Sequence, residues 1–415
     1  MDIKTAFLWG VLEPGEEVYM KQPKEFKVKG LEELIWELKK GLYGLPQGSR
    51  IWNKVMNKGM VNLGFTRIKC EYCLYYRKTV EGEVLTGIHV DDFALPATDD
   101  QVAHTFKGEL ASIWTISDLG EAKFCVGIAI ERDLANRHIF LSQTALIDKV
   151  LAQFNMTNAN PVSTPMESGL TLSCHPTAPL THEEELKLRD IPYHQLVGSL
   201  MYIAVGTRPN ISLAIQKLSQ FLSCYNLSHW AAAKHVLRYL KGTRTLKLRL
   251  GGTVPACIVG FSDVSHACNP DTGKSVGAYC FFLGSDSGVV SWCAKKQKTV
   301  AQSTCDAEYI SVGEAARECQ WLRELMESIG LPQINPTPLL CDNDAALILL
   351  KDPRFHACAK HINTKWHYIH ECTENGDICV SYVPSKDNVA DILTKPLAAP
   401  TFVRLHAFLG LCDQP

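Results

Sequence analysis

The pattern that follows Pro255 constrains the fold more than any other part of the chain. Three successive segments alternate apolar and polar residues as half-buried strands do: ACIVGFSD, SVGAYCFFLG and GVVSWCAKK. A long helical pattern runs from about Ser303 to Ile329, and it is followed by the strand PLLCDN, a helix, the strand ICVSYVP and the helix NVADILTK. This βββαβαβα order predicts a compact α/β domain over residues 255–397.

Four acidic residues stand where the elements of such a domain meet along one sheet edge. They are Asp263 at the end of the first strand, Glu308 one turn into the long helix, Asp342 at the end of the fourth strand and Asp391 in the last helix. Each alone also suits a capping or solvated helix position. Four converging carboxylates would bind two divalent metals and support phosphodiester hydrolysis. Asp306, two residues before Glu308, is the alternative candidate for the carboxylate that this helix contributes.

A second acidic feature is the pair Asp91–Asp92 inside the apolar run GIHVDDFAL. The flanking residues predict strand, and adjacent like charges cost free energy unless a cation neutralises them. A solvated turn is one interpretation, because aspartates are common in loops. A hairpin tip that binds a divalent metal is the other, and this stretch alone leaves both open. The segments CLYYRKT and EVLTGIHVDDFAL predict a hairpin closed near Glu81–Gly82.

Charge is distributed unevenly, although the formal net charge is only −2. No Asp or Glu occurs from Ile191 to Ser262. The basic residues of this stretch are Arg208, Lys217, Lys234, Arg238, Lys241, Arg244, Lys247 and Arg249. The pattern favours a surface that follows nucleic-acid phosphates, with a solvated helix face as the alternative.

Composition bounds the class of protein. With 415 residues, 46% hydrophobic and 21% charged, the chain is expected to be globular with two to four domains. No apolar run of about eighteen residues predicts a membrane span, and the first residues do not resemble a secretory signal. Sixteen cysteines without regular spacing predict reduced thiols in an intracellular protein of the cytoplasm, the nucleus or both.

In their order, these motifs resemble the Pol polyproteins of copia-type LTR retrotransposons. The C-terminal domain resembles their ribonuclease H through GFSDVSHACNPDTGKSVGAYCFFLG, SWCAKKQKTVAQSTCDAEYISV, LLCDND, KHINTKWHYIHE and VADILTKPL. The resemblance implies that the metal-binding carboxylates are Asp263, Glu308, Asp342 and Asp391. The family usually has a second Asp and a Trp after the first of these, where this chain has Ser265 and His266.

The segment HVDD resembles the Tyr-Val-Asp-Asp motif of the reverse transcriptase palm, with His89 in place of Tyr. Asp2, in MDIKTAF, matches the first palm motif. The resemblance implies that Asp2 and Asp91 bind two metals with Asp92 beside them, so that all three are catalytic.

The nucleotide site follows from the same resemblance. It implies that Phe7 excludes a ribose 2′-hydroxyl, and that Gln47 and Gly48 in GLYGLPQGSRIW contact the incoming nucleotide. The implied partners are an RNA template, a DNA primer, an RNA–DNA hybrid and dNTPs, and the implied cofactors are Mg²⁺ or Mn²⁺, two in each active site.

The resemblance implies an α+β / α/β chain in which a partial reverse transcriptase palm and thumb or connection precede a ribonuclease H-like βββαβαβα domain. The expected divisions are 1–154 reverse transcriptase, 155–190 connector, 191–254 basic helical connection or thumb, 255–397 ribonuclease H-like domain and 398–415 C-terminal tail.

Family members carry fingers before the first palm motif, whereas this chain begins one residue before Asp2. The expectation is therefore an N-terminally truncated element whose polymerase is impaired and whose ribonuclease H activity survives. Two alternatives are a catalytically silent nucleic-acid-binding relic and a pseudogene product that does not accumulate as folded protein.

Overall fold

The computed structural model describes residues 1–175, 181–253, 255–344 and 363–413. The chain forms two compact units. The first comprises Met1–Ala122 with Glu324–Gly330, and the second comprises Lys123–Arg323 with Leu331–Pro415. Among the described residues, no helix combines the length and apolar character needed to cross a membrane.

The first unit is built on a six-stranded sheet in the order β4-β5-β6-β7-β1-β8, with β2 and β3 forming a separate pair. Its strands are β1 (Asp2–Ile3), β2 (Tyr19–Lys21), β3 (Ile35–Glu37), β4 (Thr66–Arg67), β5 (Leu74–Lys78), β6 (Glu83–His89), β7 (Asp92–Ala94) and β8 (Ile116–Ser117). Its helices are α1 (Gly48–Asn62) and α2 (Asp100–Ile113). Strands β5 and β6 pair from Leu74↔Gly87 to Lys78↔Glu83, which confirms the predicted hairpin.

Helices α1 and α2 contribute buried apolar side chains to the core of this unit. From α1 come Trp52, Met56 and Met60, and from α2 come Phe106 and Leu110. The α2 helix begins at a cap in which the Asp99 carboxylate accepts the Val102 N–H at 2.9 Å.

The described residues of the second unit form two five-stranded sheets. The strands of the first are β9 (Phe124–Cys125), β10 (Ile128–Asp133), β11 (His138–Ser142), β12 (Lys247–Gly251) and β18 (Leu411–Cys412). Five helices accompany it: α3 (Thr144–Gln153), α4 (His182–Arg189), α5 (Tyr193–Gly206), α6 (Ser212–Ser219) and α7 (Leu227–Gly242).

Pairing of β11 with β12 explains why the compact units divide earlier than the expected boundary after residue 154. His138 lies opposite Gly251, and Leu141 lies opposite Leu248. Because strands distant in sequence share this sheet, residues 123–154 belong with the second unit.

The remaining sheet has the ribonuclease H-like order predicted after Pro255. Its strands are β13 (Ile258–Ser265), β14 (Val276–Leu283), β15 (Val289–Lys296), β16 (Thr337–Cys341) and β17 (Ile378–Tyr382). Strands β13 to β15 are antiparallel, whereas β16 lies parallel to both β13 and β17. The helices among the described residues of this part are α8 (Thr304–Ser328), α9 (Asn363–Glu374) and α10 (Ala399–Phe408).

Three local expectations are corrected. The predicted last helix, NVADILTK, is a 3₁₀ turn over Val389–Leu393. The expected tail 398–415 contains α10 and β18, and it buries apolar side chains such as Phe402 and Leu405 in the main core. Cys174 and Cys224 form a disulfide, so the expectation of reduced thiols is wrong for these two residues.

Candidate metal centre

Adjacent parallel strands bring the first two carboxylates together. Phe261 of β13 lies opposite Leu340 of β16, so the chain positions two residues further along these strands are Asp263 and Asp342. Glu308 reaches the same place from the first turns of α8. Carboxylate oxygens of these three residues all lie within 4.8 Å of one another, and they are the one such acidic cluster among the described residues. The structure therefore brings three of the four predicted ligands together.

The fourth predicted ligand, Asp391, stands beside this cluster and is joined to it through Lys395. The Lys395 ammonium lies 2.7 Å from Asp391 Oδ1 and 3.2 Å from Asp263 Oδ1. Asp391 sits in the 3₁₀ turn, and Lys395 follows one helical turn later. A cation already bridges two of the predicted metal ligands.

Buried hydrogen bonds fix the position of Asp263. Its side chain is fully buried, and Thr394 Oγ1 donates to its Oδ2. Ser311 Oγ donates to its backbone carbonyl at 2.9 Å. Asn388 Nδ2 donates to the carbonyl of Ser262 at 3.0 Å, which ties the turn that carries Asp391 to strand β13. These contacts hold the carboxylate with little freedom, as a metal ligand requires.

Burial and mutual repulsion raise the pKa of the clustered carboxyl groups. Glu308 has its pKa raised to about 9, chiefly by desolvation and then by the charges of Asp263 and Asp342. Desolvation likewise raises the pKa of Asp263 to about 7, although the charge of Lys395 opposes the shift. The pKa of Lys395 itself is raised, against desolvation, by Asp263 and Asp391. The cluster thus favours bound cations or protons.

The donor set fits a hard divalent cation. Glu308 Oε2 is buried and lacks a hydrogen-bond partner among the described residues. A buried oxygen without a partner costs free energy, because it has lost its hydrogen bonds to water. Carboxylate oxygens are the ligands that Mg²⁺ and Mn²⁺ prefer. A metal held by Asp263, Glu308 and Asp342 would relieve both the unpartnered oxygen and the repulsion.

Of the three aspartates predicted for the palm, Asp2 and Asp92 lie on the paired strands β1 and β7, and Asp91 lies in the turn between β6 and β7. The Cα atoms of Asp2 and Asp92 are partners across β1 and β7, and Ile3 N donates to the Asp91 carbonyl at 2.9 Å. Val90, at the hairpin tip, has φ +61°. The hairpin therefore exists, but these three carboxylates do not form a close cluster like that of the second unit.

The predicted nucleotide contacts are close to one another. A Cβ placed on Gly48 would lie 3.6 Å from Phe7 Cδ1, so the Phe7 ring covers the start of helix α1. Gln47 is the residue before that helix. Tyr43 contacts the Phe7 ring edge-on, at a centroid distance of 4.8 Å.

The basic stretch is less uniformly exposed than its sequence indicates. Arg208 is fully buried, and its guanidinium donates to Thr243 O at 2.8 Å and Thr243 Oγ1 at 2.7 Å. This is a correction, because a side chain so enclosed does not reach a phosphate. Lys217 is partly buried, and desolvation lowers its pKa. Arg249 is also partly buried, with its Nε enclosed.

Two further basic residues of this stretch form ion pairs with carboxylates from other parts of the chain. Arg244 pairs with Asp148 at 3.0 Å, and Lys247 pairs with Glu131 at 2.5 Å. The three that remain lie on one face of α7, at the spacing of four and then three residues: Lys234, Arg238 and Lys241. They too are half-buried, and Arg238 Nε donates to the Asn160 carbonyl at 2.8 Å. Among the described residues, no ion pair within 4.0 Å joins these three to a carboxylate.

Sequence reasoning missed the residues that support the centre: Ser311, Asn388, Thr394 and Lys395. A signal for one of them was available. Lys395 stands four residues after Asp391, which is the spacing of a helical ion pair. The contacts to Asp263 depend on tertiary packing, so no local pattern indicates them.

Comparison with known proteins is consistent with this architecture. Residues 1–168 match the family "Reverse transcriptase (RNA-dependent DNA polymerase)". The chain is 37% identical over 412 residues to the retrovirus-related Pol polyprotein from transposon TNT 1-94 of Nicotiana tabacum, and it covers 99% of itself and 30% of that protein. It is 32% identical over 320 residues to the putative transposon Ty5-1 protein of Saccharomyces cerevisiae, covering 77% of itself and all of that protein.

Among solved structures, the chain resembles the foamy viral protease-reverse transcriptase in complex with double-stranded DNA. The TM-score is 0.50 at 12% identity, over 92% of this chain and 56% of that one. Likeness at this identity shows the fold. The chain spans about a third or less of the length of the plant polyproteins it matches, at 30% and 27%.

Proposed function

This chain belongs to the Pol polyprotein family of copia-type retrotransposons, and we propose that its second unit hydrolyses the RNA strand of an RNA–DNA hybrid with two divalent metals, Mg²⁺ or Mn²⁺. One observation carries the proposal: three carboxylates within 4.8 Å of one another, centred on a fully buried aspartate at the edge of a ribonuclease H-like sheet. When bound, the metals activate the attacking water and stabilise the leaving oxygen.

The chain's own residues have separable tasks in this proposal. Asp263, Glu308 and Asp342 would hold one metal, and Asp391 would join Asp263 in holding the second. Ser311 and Thr394 hold the Asp263 carboxylate and its backbone in place. Hybrid is held by cationic side chains, among which the face of α7 is the main candidate.

The test is cleavage of an RNA–DNA hybrid labelled on the RNA strand, with Mg²⁺ or Mn²⁺ and with EDTA. Glu308→Gln removes a ligand and is expected to lower the cleavage rate by about a hundredfold or more. Asp306→Asn makes the same chemical change two residues away, outside the cluster, and is expected to retain most of the rate. Equal loss in both variants, or cleavage in EDTA, would contradict the proposal.

For the first unit we propose an impaired RNA-directed DNA polymerase that uses dNTPs on a primed RNA template. Support comes from Asp2 and Asp92 on paired strands with Asp91 in the adjoining turn, because these three carboxylates do not form a group within 4.8 Å as those of the second unit do. Catalytic metals need ligands held within about half an ångström. Extension of a labelled DNA primer at a rate comparable with hybrid cleavage would refute the impairment. Hybrid binding without cleavage by folded protein would instead favour a silent nucleic-acid-binding relic.

A further inference from the structure

The second unit carries a cation of its own inside the candidate metal centre. The Lys395 ammonium contacts Asp263 Oδ1 at 3.2 Å and Asp391 Oδ1 at 2.7 Å. Thr394 Oγ1 occupies the other oxygen of Asp263. Both oxygens of the central ligand are therefore engaged, whereas Glu308 Oε2 has no partner among the described residues.

The Lys395 ammonium lies where a second metal bound by Asp263 and Asp391 would lie. A divalent cation shared by Asp263 and Asp391 would use the Oδ1 atoms that now face the ammonium. Two cations cannot occupy one such gap at contact distance, because their repulsion is strong where water is excluded. Metal binding at this position therefore requires the ammonium to leave.

The side chain of Lys395 is able to leave. It is 38% exposed, while Asp263 is fully buried and Asp391 is 14% exposed. A lysine has a long flexible stem that can carry its charge to solvent without movement of the backbone. The Lys395 backbone N–H donates to the Asp391 carbonyl at 3.0 Å, so the turn stays anchored when the side chain swings out.

We propose that Lys395 is a built-in countercation that holds Asp263 and Asp391 together in the metal-free protein and is displaced by one of the two divalent metals. This inference rests on the proposed metal-dependent function of the same site. Lys395 is a positioning residue, and it raises the metal concentration at which the Asp391 side of the centre fills. Its removal strengthens metal binding and weakens the metal-free fold.

The test uses the full chain without nucleic acid, and the probe is Mn²⁺ followed by electron paramagnetic resonance, with thermal unfolding in EDTA and in saturating Mn²⁺. Lys395→Met keeps the length of the side chain and removes its charge. We expect the apparent Mn²⁺ dissociation constant of the weaker site to fall by roughly three- to tenfold, as the loss of one partly exposed ion-pair competitor predicts. Lys395→Arg retains a charge and is expected to behave like the unaltered chain.

Thermal unfolding distinguishes displacement from a permanent structural ion pair. If Lys395 is displaced, Lys395→Met melts lower than the unaltered chain in EDTA, and the difference shrinks in saturating Mn²⁺. If the ion pair persists beside the metal, the difference is the same in both conditions and the Mn²⁺ affinity does not rise, which overturns the proposal. Should Lys395→Met be unfolded in EDTA, its melting temperature in saturating Mn²⁺ decides: a value equal to that of the unaltered chain supports displacement, and a lasting deficit overturns it.

A matched control is Lys386→Ala, which removes one positive charge from an exposed position of the same unit. We expect no change in Mn²⁺ affinity, and a fall equal to that of Lys395→Met would mean that net charge alone governs binding. Failure of the unaltered chain to bind Mn²⁺ at all, with Glu308→Gln identical to it, would refute the proposed function. Saturable Mn²⁺ binding that Lys395→Met leaves unchanged would refute this inference alone.

Discussion

Asp263 is the residue on which the candidate centre depends most. It is fully buried, yet its carboxylate lies within 4.8 Å of those of Glu308 and Asp342, and the Lys395 ammonium lies 3.2 Å from its Oδ1. A buried carboxylate is stable only when a cation, a proton or a hydrogen bond compensates its charge. For Asp263 the cation is Lys395 and the hydrogen-bond donor is Thr394.

Protonation of Glu308 predicts how stability depends on pH without metal. The pKa of this group rises from its usual 4.5 to about 9 on folding. The folded state therefore binds the proton more tightly than the unfolded state does, and the stabilisation is complete below about pH 4.5 and is lost as pH rises toward 9. We expect the free energy of unfolding in EDTA to fall over this range, as measured by urea denaturation at a series of pH values.

Two controls assign that slope to Glu308. In Glu308→Gln the side chain no longer titrates, so the decline between pH 5 and pH 9 should become shallower. Saturating Mg²⁺ should also flatten it, because the metal replaces the proton and binds more tightly as pH rises. A slope unaffected by either change would show that other groups dominate the pH dependence.

At the scale of single elements, helix α7 supplies the clearest surface for a polyanion. Lys234, Arg238 and Lys241 share one face, and the fold does not supply them with carboxylates as it does Arg244 and Lys247. Replacing all three by Ala should weaken hybrid binding and reduce the slope of log affinity against log salt by about two to three. Fluorescence anisotropy at several salt concentrations measures both quantities.

Arg244→Ala is the matched single-residue control for that experiment. Its guanidinium pairs with Asp148 at 3.0 Å, so its loss should change the salt slope by less than any one residue of the α7 face. A salt slope unchanged in the triple variant would contradict the assignment of this face to nucleic acid.

The strands and helices also show which features of the fold and the candidate site a sequence can predict. Alternation placed β13, β14 and β15 correctly, and parallel pairing of β13 with β16 follows from the order of the elements, so the meeting of Asp263 with Asp342 was predictable. Neutralisation of Lys247 by Glu131 was not, because these residues are 116 positions apart. Burial of Arg208 and the sheet shared by β11 and β12 also depend on contacts between distant segments.

At the scale of the whole molecule, the two compact units differ in how closely their predicted catalytic carboxylates lie together. The second unit gathers three carboxylates around a buried anchor, whereas the first places Asp2 and Asp92 on paired strands and Asp91 in the adjoining turn without a comparable cluster. The proposed hydrolysis is therefore assigned to the second unit, where three described carboxylates already lie close together.

The most direct test is metal-dependent cleavage of a labelled RNA–DNA hybrid by the full chain beside its Asp342→Asn variant. Asp342 follows β16 at the edge of the sheet, so the substitution removes one ligand while the strand pairing that positions it remains. If the three carboxylates hold the catalytic metal, RNA-strand cleavage requires Mg²⁺ or Mn²⁺ and is abolished by Asp342→Asn, while the variant still unfolds cooperatively. Cleavage that persists in the variant, or no cleavage by the folded unaltered chain, would contradict that role of the three carboxylates.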